Sequence, residues 1–177
     1  RHRGKVSSRL THKKSDSPGI VSRWQVVATE SLRRFEAMSE SGRFRVSLHV
    51  SHPTLLADFI VSSFAFPLRY ARSVGALRMN KQGDELGGVY GQTDISFSIS
   101  DGVVSNDEVL LSDFVDMSMG SLPLDAINQI IASGGSCFFF IGVYSEGNIL
   151  CDFDAGLLSR LSVNGIDLKI DFYGGPE

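Results

Sequence analysis

The sequence predicts an α+β domain of ferredoxin-like type. The expected architecture is a four-stranded, mainly antiparallel sheet with helices packed on one face, plus an N-terminal helix. Three observations lead there. Segments of period two alternate along the chain with segments of helical period. Their order reads strand–helix–strand, connecting helices, strand–helix–strand, a pair of split units. The 177 residues are 42% apolar and 21% charged, enough apolar material for one core without disulfides or a metal. The same composition excludes collagen-like, fully disordered and disulfide-scaffold classes.

Residues 1–20 are polar, basic and Ser-rich, and read as a disordered tail. Over 21–41, Trp24, Val27, Leu32, Phe35 and Met38 fall near one face at helical spacing, and Ser41-Gly42 closes the segment. This amphipathic helix must dock, or Trp24 and Phe35 stay exposed. The single α+β domain is expected over 42–177. It opens on a strand in which Phe44, Val46, Leu48 and Val50 alternate with Arg45, Ser47 and His49. His52-Pro53 then starts a helix with Leu55, Leu56, Phe59, Ile60 and Ser63 inward, stopped by Pro67. Residues 68–92 are Gly-rich and read as a long loop with one short irregular strand.

Alternation returns over Thr93 to Ser100, with Ile95, Phe97 and Ile99 inward, and Asp101-Gly102 marks a turn. Leu110, Leu111, Phe114 and Val115 give a helix over Asp107 to Met119. Leu124, Ile127 and Ile131 give another from Ser121, ended by Gly134-Gly135. Cys137 to Tyr144 is apolar on both faces, which places it beside the first strand at the sheet centre. Asp154 caps a last helix with Leu157, Leu158 and Leu161 inward, closed by Asn164-Gly165. Leu168, Ile170 and Phe172 alternate in the final strand.

The net charge of −3 hides two regions. Residues 1–45 carry eleven Lys and Arg against four Asp and Glu, a balance of +7, and residues 46–177 carry six against sixteen, a balance of −10. A basic arm reads as a solvated tail or as a contact for nucleic acid or a membrane surface. The acidic body disfavours nucleic acid as a partner except through that tail. Arg1 to Ile20 has no apolar signal region, and the longest apolar run, Cys137 to Ile141, has five residues. Cys137 and Cys151 read as two reduced, packed thiols. The expectation is a cytoplasmic protein with no membrane contact.

Several constellations invite chemistry. His49 and His52, three apart, resemble a metal or acid–base pair but have no third ligand in sequence; the plainer reading is a polar strand residue and a helix-start residue. Asp152 and Asp154 read as a turn and a cap. Phe138, Phe139 and Phe140 invite an RNA-recognition reading, yet lack the basic-Gly-aromatic pattern of that fold. No nucleophile elbow, phosphate loop or dinucleotide fingerprint occurs. No catalytic residue, metal or cofactor is therefore assigned. Two groups remain as candidate binding residues. One is the polar side of the sheet, with Arg45, His49, Asp171 and Tyr173. The other is His52, Arg78 and Tyr90 around the Gly-rich loop.

FRVSLHVSHP, a loop with Gly75, Arg78, Gly83, Gly88 and Tyr90, then GGSCFFFIGV and LLSRLSVNGIDLKIDFYG follow in order over residues 43–174. This pattern resembles the bacterial family called domain of unknown function 4279. The resemblance implies a strand ending in His-Pro, an Arg/Gly loop, a Gly-Gly-apolar strand and a closing helix–strand pair. The loop here lacks the Trp expected near the Arg, and residues 1–42 have no counterpart. The resulting expectation is a non-enzymatic bacterial interaction module, with a toxin-neutralising, immunity-type protein as one form. Its partner would be another protein, such as a basic toxin, or a second copy of the chain. The alternative is a small-ligand-binding or catalytic domain using loop 75–91.

Overall fold

The computed structural model describes residues 42–174. The tail expected over 1–20 and the helix expected over 21–41 lie outside the described residues. Within them the chain forms one mixed α+β unit. Its strands are β1 (Arg43–His52), β2 (Leu68–Arg72), β3 (Leu77–Met79), β4 (Glu85–Val89), β5 (Thr93–Ser98), β6 (Val104–Ser105), β7 (Ser136–Ser145) and β8 (Ile166–Gly174). Its helices are α1 (Ala57–Val61), α2 (Leu111–Met119), α3 (Leu124–Ala132) and α4 (Ala155–Val163).

Alternation in β1 decides the layering. Phe44, Val46, Leu48 and Val50 are each at most 1% exposed and face the helices. The main sheet runs β2-β5-β1-β7-β8, with β6 also paired to β1. It has six strands rather than the four expected from the sequence. Every pairing is antiparallel except β7–β8, which is parallel and joined through α4. Phe97, Phe139 and Ile141 complete the buried face, against Ile60, Val115, Ile127 and Leu157 from the four helices. The two segments placed at the sheet centre by sequence, β1 and β7, pair from Arg43 opposite Tyr144 to Ser51 opposite Ser136.

β5 and β6 are one line of chain along β1, interrupted by a bulge. The Val46 carbonyl accepts from the amides of both Ile99 and Ser100, at 3.1 Å each. The Ser100 hydroxyl accepts from the Val46 amide at 3.1 Å. Two residues opposing one is the signature of a bulge.

The segment expected to be one long loop, 68–92, holds β2 and a separate β3–β4 hairpin. The hairpin turn is built by Asn80, whose side-chain oxygen accepts from the amides of Gln82 and Asp84. Both of its strands, and β2, are exposed throughout, so no buried alternation marked them in the sequence.

The helix expected from Pro53 begins only at Ala57 and spans five residues. His52 explains the delay. Its Nδ1 accepts from the amides of Thr54 and Leu55, at 3.1 and 2.8 Å, and so forms a turn where the helix was expected. Ala57 and Ile60 face the core, whereas Leu56 and Phe59, expected inward, are 59% and 64% exposed. The other helices start a few residues later than the sequence suggests, at Leu111 and Leu124. Asp154 caps α4 as expected, accepting from the Leu157 amide at 2.7 Å. Leu158, expected inward, is 46% exposed.

Candidate functional site

None of the described helices lies over the second face of the sheet, because all four pack on the buried side. The strand register arranges the open face in cross-strand rows. Arg43 lies beside Tyr144 and Tyr173. Arg45 lies beside Gly142 and Asp171, and Ser47 lies between Ser98 on one side and Phe140 and Lys169 on the other. His49 sits at the centre of a row with Ser96 and Tyr70 on one side and Phe138 and Asp167 on the other.

The aromatic rings on this face pack against each other. The His49 ring stacks on Phe138, with centroids 4.9 Å apart and planes 9° from parallel. Lys169 Nζ stands 3.5 Å from the Phe138 centroid, a cation–π contact. Tyr144 and Tyr173 stack at 5.0 Å. Arg72 lies over the rings of Tyr70 and Tyr90, at 5.0 and 5.7 Å. The stacked rings thus brace their neighbours, with the Tyr70 hydroxyl turned toward His49 and the Tyr144 hydroxyl over Gly142.

Hydrogen bonds fix the centre. The hydroxyls of Ser47 and Ser96 approach His49 Nε2 at 3.1 and 3.3 Å, and the Tyr70 hydroxyl approaches Nδ1 at 3.5 Å. Burial, followed by the charges of Arg69 and Lys169, holds the His49 pKa below its usual 6.5, against a smaller opposing effect of Asp94. Tyr173 is shifted upward, first by its hydrogen bond to Asp171. Both groups are neutral at pH 7 on these directions.

A shallow cavity of about 140 Å³ opens at Gly142. It is lined by Arg45, Ser47, Arg69, Phe140, Tyr144 and Tyr173 as well as the glycine. A Cβ on Gly142 would stand 3.3 Å from both the Tyr144 hydroxyl and Tyr173 Cε2, so the missing side chain is what leaves the space. The Nε of Arg45 is buried and has no hydrogen-bond partner among the described residues.

Of the sequence candidates, Arg45, His49, Asp171 and Tyr173 therefore share one face. His52, Arg78 and Tyr90 do not form a second group. His52 is 2% exposed at the core end of β1, with Nδ1 engaged as described and Nε2 3.1 Å from the Ser133 hydroxyl. It presents no free nitrogen to a ligand. Arg78 lies exposed in β3, within the hairpin, while Tyr90 reaches the rim of the open face through Arg72. Sequence reasoning missed Arg69, Arg72 and Tyr70, all on β2, and the role of Gly142. Tyr70 and Arg72, two apart, were the available signal, masked by the glycines that follow, whereas Arg69 joins them at a register shift that local sequence does not show.

The remaining chemistry-bearing groups sit elsewhere. Cys137 and Cys151 are free thiols, and burial pushes Cys137 up to about 12. Among the described residues no group of three or more His, Cys, Asp or Glu could hold a metal ion, and no helix is long and apolar enough to cross a membrane. No family model matches the chain, and no curated protein or solved structure matches it.

Proposed function

We propose that this chain is a non-enzymatic binding module whose working surface is the open face of the sheet, and that its partner is an acidic protein surface. The observation that carries the reading is the distribution of charge. Five of the eight described Lys and Arg residues, Arg43, Arg45, Arg69, Arg72 and Lys169, stand on this face, with only Asp94, Asp167 and Asp171 of the described carboxylates. The helix side carries the acidic excess, and its Arg160 is paired with Asp116. Complementary potential steers association and rejects wrong partners.

Residue chemistry supports a protein partner over single-stranded nucleic acid. Base stacking needs a free ring face. Phe138 has His49 on one face and Lys169 over its ring, and Tyr144 and Tyr173 cover one face of each other. What remains outward is Tyr and Arg, the residue types enriched at protein interfaces. A second copy of the same face would oppose five cations with five, which disfavours a symmetric dimer through it. A basic toxin suits the chain-wide acidity but not this face, so the partner proposed here has the opposite sign.

The test is fluorescence anisotropy of a labelled oligoglutamate peptide with the full chain, beside an oligonucleotide of equal charge. The reading expects salt-dependent peptide binding, weakened about tenfold or more by Arg69→Glu with Arg72→Glu. Unchanged peptide binding in that variant, or clear preference for the oligonucleotide, overturns it.

A further inference from the structure

We infer that the pit at Gly142 is an oxyanion site that receives one carboxylate or phosphoryl group as the anchor of a bound partner. This rests on the open-face reading and names the chemistry at its centre. Three features converge there. Two guanidinium groups, Arg45 and Arg69, line the pit, and among the described residues neither forms an ion pair. The Nε–H of Arg45 is buried with no acceptor among the described residues. Buried donors are nearly always satisfied, so an orphaned one on a side chain that lines a cavity asks for an acceptor from outside, met as that side chain turns to the bound group.

The lining itself supplies no carboxylate. Asp171, beside Gly142 in the register, is not among the lining residues. The stacked rings of Tyr144 and Tyr173 form one wall. They limit water around the bound group, which strengthens a charge-assisted hydrogen bond. The Ser47 hydroxyl lies in the same lining but is engaged by the Phe140 carbonyl and His49 Nε2, so the arginines supply the donors. A planar carboxylate or a tetrahedral phosphoryl group would meet the arginine forks in the same way.

The experiment follows the arginine Nε–H signals of the full chain by NMR during titration with sodium phosphate and, separately, sodium acetate. Ionic strength is held constant with chloride. The site predicts a saturable shift of Arg45 at about millimolar anion. Gly142→Ala, which fills the pit without changing charge, should weaken binding about tenfold. Arg45→Lys, which keeps the charge but removes the Nε–H, should do the same, read from the Arg69 signal, and serves if the glycine variant does not fold. Saturation by phosphate alone assigns a phosphoryl carrier, and saturation by acetate assigns an acidic side chain or chain end. An equal response in both variants overturns the site, as does no saturable response to either anion. If oligoglutamate still binds the face in those cases, only the pit is rejected; if it does not, the open-face reading falls as well.

Discussion

His52 and His49 stand three residues apart on the same strand and serve opposite faces, because side chains alternate at period two. His52 faces the core, where it receives the amides of Thr54 and Leu55 and meets the Ser133 hydroxyl. The close approach of Gly135 belongs to the same packing, since a Cβ there would lie 2.8 Å from the His52 ring. His52→Ala leaves two amides without their acceptor in a buried turn, and should cost about 2–4 kcal/mol by chemical denaturation. His52→Asn, which restores an acceptor, should recover part of it. His49 faces outward and carries the pH dependence. Its folded pKa lies below 6.5, so below pH 6.5 the unfolded chain binds more protons at this site than the folded one. The contribution to stability is present above pH 6.5 and is lost as pH falls through the folded pKa. Thermal melts from pH 7.5 to 5 should show a shallower fall for His49→Gln than for the natural chain; an identical slope would show that His49 is not held neutral.

Elements were legible in the sequence where burial imposed a pattern. β1, β5, β7 and β8 each carry an apolar alternation or run, and each is a strand. β2, β3 and β4 have no buried residue, so nothing in their hydrophobic pattern separated them from loop. β6 is two residues long and depends on the Ser100 bulge, a tertiary contact with Val46 that local sequence does not encode. The first helix was misread for a related reason. Leu56 and Phe59 have helical spacing but lie on the exposed side of α1, and the His52 ring took the amides that an earlier helix start would need. Local chemistry was read correctly at α4. Removing its cap by Asp154→Ala should cost about 1 kcal/mol, seen as a lower denaturation midpoint with an unchanged slope. No change in midpoint would mean the cap is replaced by solvent.

At the scale of the molecule, the candidate face was partly visible and its sign was not. Period-two reasoning put Arg45, His49, Asp171 and Tyr173 together, because it needs only the strand identities. Arg69 and Arg72 join them through β2, whose pairing with β5 is non-local. Average charge was misleading for the same reason: the sheet separates a cationic face from an anionic helix side that composition adds together. The central claim, that the open face is where a partner binds, is tested most directly by the imidazole resonances of the full chain during titration with the oligoglutamate peptide. His49 lies in the middle of the open face and His52 is buried among the helices, so the two are internal references for each other. The account predicts a saturable shift of the His49 ring signals with those of His52 unmoved. Saturable peptide binding that leaves His49 unmoved would contradict it.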